Sequence, residues 1–409
     1  MAGRAARGAR RAARVVDAPA PPHAAPVSHA PQPADAAVDA PRAPSAWLRG
    51  PLFDLSLLGF AWVPFYLWVA FGLGLGRAGL GLPLPSPVAL REALALATVA
   101  ALGCTYVHRH YTFFVVYGDP ETLRSRARAF VIAPLAVFGV IAAARLSDLR
   151  VSRVSPWMVV LVVMGLWNVW HTLQQRYGIL RIYAGKAKGG LEGQPAARRD
   201  RAVLWAMTAM VAPALVGLRP ELFRGQAAAA DTYAAIGPLV RTTPGKAVLL
   251  AVFALGLAGV AWWVKGEVAA RVSLAARLPR LSFVASTAAL LGVFVVHGPI
   301  VGYLCFGVAH SLEYVAFVHH FGAAKFRGRE ATSPAAVLLS RPLLFAPVLV
   351  GGLLAAYWLL RGARATDAYA VYYTGTSALH FLYDGWIWKV RRPEVARPLL
   401  ADAAPRGRA

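Results

Sequence analysis

AVLLAVFALGLAGVAWWV, residues 247–264, carries no charged side chain. As a helix rising about 1.5 Å per residue, such a run nearly crosses a hydrocarbon core that about 20 residues span. FDLSLLGFAWVPFYLWVAFGLGLG, residues 53–76, repeats the message with Asp54 as its single charge. Lipid offers no partner to an exposed backbone N–H or C=O, so these spans must be helices or a closed barrel. The runs are rich in Ala, Leu, Gly and Trp and lack the alternation of a barrel strand. The reading is an all-α polytopic integral membrane protein.

Composition agrees. The 409 residues have a mean hydropathy of +0.51, are 58% hydrophobic and only 15% charged, outside the range of soluble domains. The net charge of +24 does not point to nucleic acid, because the basic residues fall in tails and between apolar runs, as membrane orientation requires. They bring those loops to anionic lipid headgroups, so membrane lipids are the expected partners. Two cysteines, Cys104 and Cys305, sit inside apolar runs and form neither a disulfide framework nor a metal motif. Residues 1–46 are Ala, Pro and Arg rich, the composition of a disordered tail. No apolar segment follows Arg10-Arg11 at signal-peptide distance, so no cleaved signal is expected.

Hydropathy and helix breakers place ten spans, at about 52–76, 89–117, 129–146, 156–183, 202–218, 246–264, 282–297, 300–321, 342–360 and 368–389. His297-Gly298-Pro299 is read as a tight turn between two of them. This gives a transmembrane domain over 47–393 and a short basic tail over 394–409. With both termini cytoplasmic, the most basic segments lie inside: Arg124/Arg126/Arg128, Lys186–Arg201, Lys265–Arg280, Lys325–Arg329 and the tail. The positive-inside rule supports that orientation, in a bacterial inner membrane. Arg176 and Arg181, at the inner end of the fourth span, read as part of this basic collar, able to hold a phosphate headgroup. GDPE at 118–121 reads as a turn opening a helix.

The histidines give the function. HSLEYVAFVHHF, residues 310–321, holds three of them and a glutamate in apolar surroundings. On the ten-span layout His108, His171, His310 and His380 fall on four different spans. Each lies about 13–18 Å before its span's cytoplasmic end by helical rise. Polar neighbours recur on the same helical faces: Tyr303, Glu313 and His320 with His310; Asn168 and Gln175 with His171; Tyr373, Ser377 and Asp384 with His380. His110, about 200° around its helix from His108, faces elsewhere. His319 and His320 form a shallower rim or second site.

Ionisable residues inside spans face a bundle interior and mark function. Neutral imidazole is a common metal ligand, and a carboxylate one turn away orients it or ligates beside it. The expected ligands are therefore His108, His171, His310 and His380, with His319 and His320 as further candidates. Glu313 and Asp384 are the expected catalytic carboxylates. Asn168, Gln175, Tyr303, Tyr373 and Ser377 are expected to meet substrate or support the ligands. Trp167, Trp170, Trp386 and Trp388 bracket the histidine helices and are read as core or interfacial anchors that could line an apolar pocket. Histidine with carboxylate suits iron first and zinc second, rather than magnesium or calcium.

The HxxExxxxxHH pattern at 310–320, HRH at 108–110 and HFLYD at 380–384 resemble the histidine boxes of membrane desaturases and hydroxylases. The resemblance implies a diiron enzyme that acts on lipid chains with dioxygen, drawing electrons from a donor protein. It would make His108, His171, His310, His319, His320 and His380 iron ligands. The competing readings are a zinc-dependent intramembrane hydrolase with Glu313 or Asp384 as base, a haem protein with bis-histidine ligation, and a transporter with a proton or metal pathway.

Overall fold

The computed structural model describes residues 45–74, 85–149, 155–223, 237–328, 332–341, 366–389 and 392–400, with a few isolated positions besides. Helices account for the regular structure, and no strand occurs among the described residues. The helices, in chain order, are α1 (Pro51–Gly59) and α2 (Val63–Gly72), followed by α3 (Pro87–Tyr117), α4 (Pro120–Ser125), α5 (Ala127–Leu146) and α6 (Pro156–Ala187). Then come α7 (Gln194–Leu218), α8 (Thr243–Ala269), α9 (Leu274–His297), α10 (Pro299–Lys325), α11 (Pro334–Ser340), α12 (Asp367–Ile387) and α13 (Pro393–Leu400).

Local chemistry sets many of the starts. Ser86, Ser155, Thr242, Ser273, Ser333 and Thr366 stand at N-caps, and each side-chain oxygen accepts the N–H three residues on. Proline follows within the first two helical positions of α3, α6, α8 and α11, where its missing N–H costs nothing. Asp119 caps α4, as the GDPE turn predicts.

Among the described residues, seven helices are long and apolar enough to cross a membrane: α3, α5, α6, α7, α8, α9 and α10. The α1–α2 pair, bent by 46°, forms an eighth candidate if taken as one span. Their outer faces carry exposed Leu, Val, Ile and Trp, among them Val131, Leu135, Val162, Leu166, Leu255 and Leu257. The molecule is thus apolar outside as well as inside, as an integral membrane protein is. The seven correspond to seven of the ten expected spans. The span expected at 342–360 lies outside the described residues. The one expected at 368–389 is helix α12, whose Tyr, Thr and Asp content leaves it out of the seven.

α10 is the most enclosed span and α9 the next. α9 and α10 are separate helices joined at Gly298, whose φ of 89° is one that a side chain would strain. The two pack against each other, and the bare Cα of Gly302 admits the Phe294 ring. α3, the α1–α2 pair, α11 and α13 also pack against α10, and α6 and α12 reach it through side chains such as Gln175 and Asp384. The basic tail expected from 394 begins as helix α13, which buries Val395 and Leu399 in the main core.

Two helices begin earlier than hydropathy suggests. α7 starts at Gln194 rather than 202, and α9 at Leu274 rather than 282. The added turns hold a buried ionic hub. Arg280 donates to both oxygens of Asp200 and to Glu267, while Arg181 and the Trp263 indole also donate to Asp200. Arg280 and Arg181, expected among free cytoplasmic charges, instead tie α6, α7, α8 and α9 together.

Candidate metal centre

Four helices each bring one histidine to a common point. His108 (α3), His171 (α6), His310 (α10) and His380 (α12) are at most 5% exposed. Their ring centroids run around a closed quadrilateral: 4.9 Å from His108 to His310, 5.0 Å on to His171, 4.8 Å to His380 and 4.6 Å back to His108. The His310–His380 diagonal is 6.0 Å. Neighbouring rings meet edge to face, with interplanar angles of 70–89°.

Hydrogen bonds fix which nitrogens are available. The Ser311 hydroxyl donates to Gly307 O at 2.7 Å, so it must accept from His108 Nδ1 at 2.9 Å. That leaves His108 with its lone pair on Nε2. At His380, Nδ1 lies 2.7 Å from Thr112 Oγ1. Thr112 and Tyr314 both donate to Asp384 Oδ1, at 3.0 and 2.9 Å, because a carboxylate is the strongest acceptor in reach. Thr112 therefore accepts from His380 Nδ1, and His380 also presents Nε2. The Trp388 indole donates to Tyr314 at 3.2 Å and holds the phenol in place.

The inward nitrogens have no protein partner. His171 Nε2, both ring nitrogens of His310, and His380 Nε2 are buried and unbonded. Each such group costs about 1–3 kcal/mol if left so. A cation held by His108, His310 and His380, or by His171, His380 and Asp384, would satisfy the nitrogens of its group. The ligand atoms of His108, His310 and His380 lie within 4.8 Å of one another, as do those of His171, His380 and Asp384. A first-row metal binds imidazole nitrogen at about 2.0–2.1 Å, so ligands on opposite sides stand about 4 Å apart. Asp384 Oδ2, 3.7 Å from both His171 Nε2 and His380 Nδ1, is the carboxylate beside the ring.

The other expected residues divide. Glu313 does not join the histidines. Both Glu313 and Arg176 are fully buried, Arg176 donates to Glu313 Oε1, and its other amino group donates to Thr287 at 2.6 Å. The expected base is thus a buried ion-pair partner, and Arg176 is no part of a headgroup-binding collar. His319 is held by Tyr111 OH at 2.9 Å and Leu339 O at 3.4 Å. His320 tilts against Phe53, with its Nε2 buried and unbonded. Neither belongs to the convergent groups. His110 bonds Tyr106 O and Tyr372 OH, away from the ring, and His297 bonds Tyr66 OH.

Gln175 donates to His310 O at 3.2 Å and so staples α6 to the ligand helix. Asn168 donates to Tyr303 OH on a more open face. Tyr373 and Ser377 accept hydrogen bonds from Arg109. Trp167 packs on Phe381, which in turn lies 4.6 Å from the His171 ring, so together they form an apolar wall beside the site. Cys104 and Cys305 are free thiols outside both convergent groups. Sequence reasoning missed Thr112, Ser311 and Tyr314. The signal for two of them was spacing, since Thr112 and Tyr314 stand one turn beyond His108 and His310.

No protein-family model, curated protein or solved structure matches this chain.

Proposed function

We propose that the chain is an intramembrane metalloenzyme whose centre is held by His108, His171, His310 and His380, with Asp384 beside them. The observation that carries this reading is the convergence of four buried imidazoles, three of which, His171, His310 and His380, hold buried ring nitrogens with no protein partner. A neutral imidazole set with one carboxylate suits iron before zinc and does not suit magnesium or calcium. Bound there, iron would supply a redox centre for dioxygen chemistry on a hydrophobic, lipid-like substrate, with electrons from a donor protein.

The protein's own contribution is orientation. Asp384, held by Thr112 and Tyr314, keeps His380 in the tautomer that presents Nε2. Ser311 does the same for His108. Tyr314, whose ring centroid is 5.3 Å from His380 and 5.9 Å from His108, is the nearest phenolic O–H and the natural proton donor at the site. Phe381 and Trp167 keep one wall dry and offer apolar surface to a substrate chain.

A haem centre is disfavoured by crowding, because a macrocycle between two of these histidines would run through the other two. The Arg-rich loops support cytoplasmic termini, and the ten-span layout in a bacterial inner membrane remains part of this proposal. The test is metal analysis of the full chain purified in detergent after growth with iron. The expected result is stoichiometric iron, lost in His108→Ala, His310→Ala and His380→Ala and kept in His319→Ala. A wild-type protein free of transition metal, or ring variants that keep it, would refute the reading. Zinc in place of iron would shift the chemistry to hydrolysis.

A further inference from the structure

We propose that Arg109 anchors an oxyanion site within the membrane, which takes the carboxylate or phosphate head of an amphiphilic ligand. Arg109 lies on α3, about 12 Å short of its C-terminal end by helical rise. It is 2% exposed. Its guanidinium lies over the rings of Tyr106 and Tyr373, 4.7 and 4.4 Å from their centroids. Nε donates to Thr105 O at 3.1 Å; Nη1 donates to Tyr373 O at 3.0 Å and Ser377 Oγ at 2.5 Å, with Thr376 Oγ1 at 3.4 Å. Every one of these partners is neutral. Nη2 is buried with no partner at all.

The contrast with the other buried arginines is what makes this a site. Arg176 and Arg280, both fully buried, each face a carboxylate. Among the described residues, no carboxylate pairs with Arg109. A guanidinium cannot shed its proton to escape the low dielectric, so its charge calls for an anion from outside the chain. The free Nη2 supplies a directed donor for an oxygen, the geometry in which arginine recognises carboxylate and phosphate.

Placement suggests what the ligand does. Arg109 directly follows His108, and Ser377 stands three residues before His380, about 4.5 Å along α12. A head held at Nη2 starts its apolar chain about one helical turn from the histidine ring. That this ligand is the substrate of the ring rests on the proposed metal centre; the oxyanion site does not.

Binding of radiolabelled oleate to the full chain in neutral detergent tests the proposal, with oleyl alcohol and inorganic phosphate as competitors. Unlabelled oleate should compete at least tenfold better than oleyl alcohol, and phosphate should compete weakly. Arg109→Gln should abolish the preference for oleate. Arg109→Lys, which keeps the charge but not the fork, should keep a reduced preference. Equal competition by oleate and oleyl alcohol in the wild type overturns the site without recourse to any variant, as does a preference that survives Arg109→Gln. Phosphate competing as well as oleate overturns the amphiphilic ligand in favour of a free anion. Metal content measured on the same preparation separates the two proposals: metal-free protein that prefers oleate refutes the metal centre alone, and metal-loaded protein without the preference refutes the oxyanion site alone.

Discussion

Replacing Arg176 by methionine removes the cation that faces Glu313 while conserving most of the side-chain volume. Both partners are fully buried, so the carboxylate left behind has no solvent to turn to. Breaking such a pair costs about 3–5 kcal/mol, two to three and a half powers of ten in the folding equilibrium. Thr287 Oγ1 also loses the guanidinium that donates to it. Glu313→Leu should cost more than Arg176→Met, because an orphaned carboxylate can take up a proton and an orphaned guanidinium cannot. The double variant removes both charges, and buried pairs replaced by apolar groups are often neutral to stabilising. It should return to within about 1 kcal/mol of the wild type or exceed it. The assay is reversible unfolding in mixed micelles, with metal content measured on each protein. The reasoning fails if Arg176→Met costs under about 1 kcal/mol, or if the double variant is no more stable than the single. If the double variant folds but loses metal, Glu313 belongs to the metal site and its assignment to the ion pair is wrong.

Three further outcomes follow from the same geometry. Thr112→Val removes the hydroxyl between His380 Nδ1 and Asp384 and should weaken metal binding about 10–100-fold, read by chelator competition; unchanged affinity would show that the hydroxyl does not orient the ligand. At Asp119, burial raises the carboxyl pKa, but hydrogen bonds from Lys325 and Thr122 outweigh it and hold the group below its ordinary value. Its contribution is therefore present at neutral pH and lost as pH falls through that lowered value, below about 4. Hydrogen exchange across 119–125 should accelerate there, and Asp119→Asn should be fast at every pH; a wild type that stays protected in acid contradicts this. Gly259 lets α8 approach α7, since a Cβ there would sit 2.8 Å from Ala206 Cβ. Gly259→Leu should destabilise by about 1–3 kcal/mol, and a neutral result in thermal unfolding would mean that the two helices are not in contact.

Much of the site was legible because the background is apolar. His108, His171, His310 and His380 stand out in their helices, and equal depth on four helices is a constraint that sequence can express. Asp384 was also legible, because a four-residue step turns the helix only about 40° from His380 and keeps both on one face. Glu313 was misread through the complementary step. Three residues on from His310 is about 60° the other way, enough to face Arg176 and Thr287 rather than the ring. Helical spacing places a residue on a stripe but does not say which neighbour the stripe's edge meets. The same gap hid the hub: Arg280 and Arg181 look like loop charges until Asp200 and Glu267 are seen opposite them. The two early helix starts share that cause, since hydropathy ends a span where buried ion pairs begin.

Among the described residues, some buried polar groups are closed by the chain itself and others are left open. Asp200 takes donors from Arg181, Arg280 and Trp263, and Arg280 adds Glu267, so that network is closed by the chain itself. Closed networks of that kind fix helices relative to one another. His171, His310, His380 and Arg109 are equally buried but carry nitrogens with no protein partner. A membrane interior penalises unbonded polar atoms more than any other setting, so the open groups at the histidine ring and at Arg109 are hard to explain as packing. On the readings proposed above, a cation would meet one and an anion the other. Two such sites one helical turn apart would suit an amphiphile fixed by its head while its chain lies against the metal.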